Sequence, residues 1–199
     1  TVDAVKFATD LYKQTMTPEV MAWDASSNNR ALLAGKISLC LNAISTTRTA
    51  ENEKLPIADQ IGLTKALMGA TRAIGLEHVM DCYVIWKFAD TFPQGSAAGQ
   101  YNTFPCFSST GADLEQLLAQ DPHKPAGKYK VLGDVTKWAT NVGYPGYANA
   151  AIDEIFNTWV LNTMFAKAAS GAAPPADAVK EADRKCRAIF QKWHEKKLV

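Results

Sequence analysis

No run of about 18 apolar residues occurs anywhere in the sequence, so nothing in it reads as a membrane-spanning helix. Catalytic signatures are missing too: there is no nucleophile elbow, no phosphate-binding P-loop, no GxGxxG and no histidine-rich metal spacing. The four cysteines, Cys40, Cys82, Cys106 and Cys186, are scattered without a CxxC pair, and the three histidines, His78, His123 and His194, form no ligand motif. That spacing argues against a metal site. Cys40 and Cys82 fall in apolar, strand-like runs and read as small buried hydrophobes. A Cys106–Cys186 disulfide stays open for an oxidising compartment. Charge of one sign is also lacking, since a net charge of +1 arises from dispersed Lys, Arg, Asp and Glu. Nucleic-acid binding needs a basic face and is therefore disfavoured. The opening "TVDAVKFATDLYKQ" has neither a basic n-region nor an apolar h-region, so it is no signal peptide. It begins directly in a helical pattern without Met and reads as a processed or internal piece.

What is present is a chain of 199 residues with enough apolar content for a well-filled core. Helical spacing covers residues 2 to 14 and ends near Pro18. Asp24, Ser26 or Ser27 can cap a helix from about residue 27 to 34, which Gly35 ends. "KISLCLNA", residues 36 to 43, alternates Ile37, Leu39 and Leu41 and predicts a strand. Residues 44 to 75 read mostly as loop, with a short helix around 57 to 61. "HVMDCYVIWKF", residues 78 to 88, predicts a second strand. Helices are expected over "GADLEQLLAQ", stopped by Pro122, over "GKYKVLGDVTKWATN", and over residues 149 to 169. Gly171 closes that long helix, and Pro175 and Asp177 start a last one with a stripe of Val179, Ala182, Cys186, Ile189, Phe190 and Trp193. Trp86, Trp138, Trp159 and Trp193 sit among apolar neighbours and read as core, while Lys192, Lys196 and Lys197 read as a solvated basic end. The class is helix-rich α/β with only two confident strands, too few for an independent sheet.

One stretch is unusual for a connector. "NVGYPGYANAAIDEIF", residues 141 to 156, crowds Tyr144, Pro145, Gly146 and Tyr147 before a helix start. A turn needs Gly, Pro, Asn or Asp, but no aromatic rings. The rings either face a ligand or cover the edge of the core.

Four blocks in order carry a resemblance: "WDASSNNRALLAGKISLCLNAISTTRTAE", "GLEHVMDCYVIWKFA", "YNTFPCF" and "NVGYPGYANAAIDEIFN". They resemble the C-terminal half of extracellular solute-binding proteins, the sugar-type, maltose-binding-protein-like subunits of ABC importers. The closing "MFAKAASGAAPPADAVKEADRKCRAIFQKW" is similar to that family's terminal helix pair. The chain departs from the pattern at residues 90 to 100, where "DTFPQGSAAGQ" replaces an Ala- and Lys-rich helix. The resemblance implies one lobe, residues 1 to 199, of a two-lobed type II periplasmic-binding-protein-like fold, with the N-terminal lobe missing. It further implies a carbohydrate or similar polar solute held in a hinged cleft, delivery to membrane permease subunits, and a periplasmic or extracellular location with or without a membrane tether. No cofactor, metal or nucleic acid belongs to that picture.

Sugars offer hydroxyls and flat C–H faces, so aromatic platforms and hydrogen-bonding groups suit them. Tyr144 and Tyr147 fit, with Pro145 fixing the loop, Gly143 and Gly146 allowing close approach, and backbone N–H groups near Ala148 and Asn149 pointing outward. Trp23 and Asp24 precede a helix start in the same manner and are a stacking platform and a polar partner, or a core lid and an N-cap. The family places the loop after "KISLCLNA" in the cleft too, which nominates Asn42, Ser45 and Arg48. Arg48 either grips vicinal hydroxyls or an acidic sugar, or pairs with Glu51 on the surface. His78 lines the cleft or is a structural histidine. Asp153 and Glu154 point about 100° apart on a helix and make a poor catalytic pair, so an enzyme is disfavoured. An interaction or remnant domain without solute is the other alternative.

Overall fold

The computed structural model describes residues 1–69, 72–77 and 114–199. His78, Cys82, Trp86, Cys106, the expected strand over 78–88 and the irregular 90–100 stretch lie outside the described residues. The described chain is dominated by helix. Its one sheet among these residues has two short strands, β1 (Gly75–Glu77) and β2 (Ala139–Asn141), joined where Gly75 N donates to Trp138 O at 2.9 Å. The chain divides into two compact units, residues 1–24 with 141–199, and residues 25–140.

The first unit is a helical assembly of α1 (Val2–Thr15), α5 (Ala150–Asn157), α6 (Val160–Ala169) and α7 (Pro175–Glu195). Helices α1, α6 and α7 pack on one another, and α5 packs on α6 and α7. Their buried residues recur every four positions, as in Val5 and Thr9, Val160, Met164 and Ala168, and Ala178 and Ala182. Ala168, Ala178 and Ala182 are buried in the core that α6 and α7 share, with Cys186 (a free thiol) and Ile189 half-buried at the edge. Gly171 adopts φ +80° after α6, a conformation open to glycine, and Pro175 sits in the first turn of α7, where its missing N–H costs nothing.

One expectation fails here for a clear reason. Residues 149 to 169 do not form a single helix, because the chain breaks at Thr158–Trp159. The buried positions of α5 are Ala151 and Ile155, and those of α6 begin at Val160, a step of five from Ile155. A four-residue step turns a helix face by about 40°, but a five-residue step turns it by about 140°. A straight helix would thus point the two stripes to nearly opposite sides. Trp159 resolves this by adopting φ 59° and ψ 31°, and Ile155, Val160, Met164 and Ala168 then share one core. Trp159 is consequently 51% exposed rather than core. Trp193 is half-buried: its indole N–H donates to Glu154 at 2.6 Å, and Lys192 and Lys196 lie 5.2 and 4.7 Å from its ring centroid. The basic end is therefore partly engaged, with Lys192 also paired to Glu154.

The second unit holds α2 (Ser27–Leu33), α3 (Ser45–Asn52), α4 (Leu114–Ala119) and 3₁₀ turns at Ala58–Gln60, Lys128–Leu132 and Val135–Lys137. Two small apolar clusters support it, Ala50, Ala58 and Ile61, and Leu118, Tyr129 and Leu132, with Trp138 packed beside the latter. Gly35 ends α2 at φ +67°, as its place in the sequence predicts. Residues 36 to 43 do not form a strand, and Leu39 and Leu41 are exposed. Alternation alone cannot hold a strand without a neighbour, and none pairs with it among the described residues. Residues 45 to 52, expected as loop, are helical. The inward face of α3 is Thr46, Thr47, Arg48, Ala50 and Glu51, so hydrophobic periodicity gives no sign of it. Over 127 to 141 the expected helix is replaced by 3₁₀ turns and β2, with Lys137 N and Trp138 N each bonded three residues back.

Candidate functional site

In the first unit, the loop before α5 is braced by its own backbone. Asn141 accepts from Gly143 N through Oδ1 (2.8 Å) and from Tyr144 N through its carbonyl (3.1 Å), and Gly146 N donates to Gly143 O at 2.9 Å. The Tyr144–Pro145 peptide is cis. The loop closes so tightly that a Cβ on Gly143 would lie 2.4 Å from the Tyr147 carbonyl oxygen. Gly143 is thus required by the loop's own closure rather than by room for a ligand. Asn149 is the N-cap of α5: its Oδ1 accepts from Ala151 N and Ile152 N, both at 3.0 Å, and its Nδ2 donates to Tyr147 O at 3.4 Å. The consequence is a fixed turn that carries the Tyr147 ring outward. Tyr147 is 88% exposed and Tyr144 38% exposed, while Pro145 is exposed between them. Tyr147 does not close over the core.

Trp23, also in the first unit, follows the Pro18–Ala22 turn and is half-buried, with its N–H on Val20 O at 3.3 Å. Asp24 beside it is exposed and is not the N-cap of α2, a position held by Ser26. Arg30 folds back from α2 to the Ser26 and Ser27 hydroxyls instead, at 2.9 Å for Ser27.

In the second unit, Asn42 is committed to local structure. Its amide donates to Asn29 Oδ1 and to Thr46 Oγ1 (3.2 Å), and its oxygen accepts from Ala43 N at 2.8 Å. Ser45 opens α3 as an exposed residue whose carbonyl accepts from Thr49 Oγ1 at 3.0 Å. Arg48 pairs with Glu51 as one sequence reading expects, but in the interior rather than on the surface, at only 4% exposure. Its Nη1 donates to Glu51 Oε2 at 3.0 Å and to Asp121 Oδ2 at 2.9 Å, and its guanidinium carbon lies 3.8 Å from the centre of the Tyr129 ring.

The cluster around Arg48 is the densest polar arrangement among the described residues. Glu51 Oε2 also accepts from Tyr129 OH at 2.9 Å and stands 3.6 Å from His123 Nδ1. Its Oε1 is 2.5 Å from Lys128 Nζ but off the direction of a hydrogen bond, and Arg48 Nε has no acceptor among the described residues. Lys128 instead donates to Lys124 O at 2.6 Å and Ala58 O at 3.3 Å. Asp121 Oδ1 takes the His123 backbone N–H at 3.0 Å and its ring Nδ1 at 2.8 Å. Burial pushes the Tyr129 phenol far up, against the pull of the Arg48 charge and with the help of the bond to Glu51, so Tyr129 is a neutral donor. Burial also works to lower Arg48 and to raise Asp121. The Asp121 bond, the Tyr129 contact and the Glu51 bond outweigh it for Arg48, which ends raised. The backbone and ring bonds of His123, with Arg48, outweigh it for Asp121, which ends lowered. Two cations and two carboxylates balance in a nearly dry interior, an arrangement that fixes geometry more than it adds stability.

No group of His, Cys, Asp and Glu among the described residues is placed to hold a metal. Sequence reasoning found the Arg48–Glu51 pair but missed Asp121, His123, Lys128 and Tyr129, which meet them only across 70 or more residues of chain. Compared with known protein families, curated proteins and solved structures, the chain matches none.

Proposed function

We propose that the chain binds a carbohydrate or a similar small polar solute through the loop of residues 141 to 149, without catalysis. The observation that carries this is the outward presentation of Tyr147, with Tyr144 partly exposed beside it, on a loop braced by Asn141, Gly143 and Asn149. An exposed ring on a rigid turn supplies a stacking face at little entropic cost. The four-block resemblance supports the wider setting: a lobe of a type II solute-binding protein of an ABC importer, working with a second lobe and a membrane permease in a periplasmic or extracellular compartment. No described helix is long and apolar enough to cross a membrane. Of the nominated residues, Tyr144, Tyr147, Pro145, Trp23 and Asp24, all in the first unit, remain contact candidates, while Ser45 is an exposed residue of the second unit. Arg48 and Asn42 serve by holding their surroundings, and Asn149 by capping α5.

The test is a thermal-shift survey of the folded chain against mono- and oligosaccharides, repeated with Tyr147→Ala. A saccharide that raises the melting temperature of the parent and not of the variant is the expected result, with the unliganded melting temperatures within about 1 °C because Tyr147 buries so little. A panel that shifts nothing, or an equal shift in both proteins, refutes the assignment of this loop. A second reading, an interaction domain without solute, draws on the exposed Phe7, Leu39, Leu41 and Trp159.

A further inference from the structure

Within the first unit, α1 and the turn between α6 and α7 border an open groove of about 520 Å³. One wall is a face of α1. Lys6, Asp10 and Lys13 lie within about 60° of one another around that helix and span about 10 Å of its axis, so their charges run plus, minus, plus. The opposite wall is Ala173, Pro174 and Pro175, all apolar. Their short side chains do not reach across to α1, which is what leaves the volume. The turn that carries them is held in place: Ala173 N donates to Lys167 O at 3.2 Å, and Pro174 O accepts from Asp177 N and Ala178 N, both at 3.0 Å. At the floor, Thr9 is buried and its hydroxyl donates to Val5 O at 2.8 Å, so recognition of charge falls to the rim.

These features set what fits. The volume is that of a small-molecule site, for which about 300–1,000 Å³ is usual. Two ammonium groups draw a carboxylate, while the Asp10 carboxylate between them repels a plain anion and draws an ammonium. Lys6 also meets Asp3 at 3.7 Å, but both side chains are exposed and such a pair yields readily. The proline rings offer flat apolar faces on which an aromatic ring can lie. We propose that this groove binds a small zwitterion, an amino acid with an aromatic side chain. Its carboxylate meets Lys6 and Lys13, its ammonium meets Asp10, and its ring lies along Pro174 and Pro175. The lining comes from residues 6 to 13 and 168 to 175, apart from the loop of residues 141 to 149, so the inference does not rest on the saccharide reading.

The experiment titrates L-phenylalanine into the full chain while nuclear magnetic resonance follows the backbone amides of residues 171 to 173. Saturable shifts are expected there. Phenethylamine, which lacks the carboxylate, and phenylpropionate, which lacks the ammonium, should each bind more weakly. Exposed charge contacts are modest, so Lys13→Gln should weaken phenylalanine binding by about three- to fivefold. Asp10→Asn should weaken phenylalanine by a similar factor yet strengthen phenylpropionate, opposite signs that a merely structural effect does not produce. Both positions are exposed, and far-UV circular dichroism checks that each variant keeps its helices. The proposal is overturned if residues 171 to 173 show no saturable shift, if phenylpropionate matches phenylalanine, or if both variants bind phenylalanine as the parent does. Tyr147→Ala should leave phenylalanine binding intact; a loss there moves the ligand to the loop and overturns the groove. Failure of the saccharide survey alone leaves the groove standing.

Discussion

Replacing Glu51 by alanine tests whether Arg48 belongs to the interior. The side chains of Glu51 and Lys128 are each 1% exposed and that of Arg48 is 5% exposed, so the variant would leave two cations facing the single carboxylate of Asp121. Removing one partner of a buried pair costs about 3–5 kcal/mol, because the remaining charge is desolvated without compensation. The lost Tyr129 bond falls within that range. A protein of ordinary stability holds only about 5–15 kcal/mol, so a large share of it disappears. With a urea slope near about 2 kcal/mol/M, the midpoint falls by roughly 1.5–2.5 M. Amide hydrogen exchange at Thr46–Ala50 reads the second unit separately from the first. Replacing Arg48 and Glu51 together by methionine should cost clearly less than the sum of the single losses, since both charges leave at once. A Glu51→Ala loss below about 1 kcal/mol, the value of an exposed surface pair, would refute the buried network and return Arg48 to the candidates for ligand contact.

Three further outcomes follow from particular contacts. At Trp159, glycine should be more stable than alanine by about 1 kcal/mol, the reverse of their order inside a helix, because only the αL conformation favours glycine; an alanine advantage in thermal melts rules out the strained break. Gly143→Ala should displace the Tyr147 backbone and destabilise the loop, whereas Gly146→Ala, whose Cβ would meet Gly143 O at 3.4 Å, should be tolerated, and nuclear magnetic resonance shifts of residues 143 to 149 separate the two. Glu181 is held down to about 2 by hydrogen bonds from Lys167 and Lys185. Its folded value lies below the ordinary 4.5, so its contribution to the α6–α7 contact is complete above about pH 4.5 and is lost as pH falls toward 2; a carboxyl titration midpoint near 4.5 would remove the tie. Asp121 carries the same sign, with stability present above the ordinary aspartate value and lost on acidification through its lowered one.

The candidate loop was legible because its signal is local. Two glycines, a proline and two tyrosines within a few residues mark a turn with aromatic cargo, and Asn149 stands where a cap must stand. Whether the rings faced inward or outward was not local, since it depends on what packs beneath the loop. Arg48 shows the opposite balance. Its two readings, ligand contact or pairing with Glu51, look equal along the chain, and they separate only when Asp121 and Tyr129 arrive from 73 and 81 residues away.

Local forces alone set the extents of α1, α2 and α7. Apolar residues recur every three or four positions in α1 and α7, Gly35 supplies the positive φ that follows α2, and Pro175 starts α7. Tertiary structure decided the rest. It withheld a strand from residues 36 to 43, made a helix of the polar segment 45 to 52 by burying Arg48 and Glu51, and split one helical pattern at Trp159. The physical reason is common to all three. Periodicity states which residues want burial, but only the surfaces brought together by the fold determine which stripe is buried against what, and whether a charge can follow it inside.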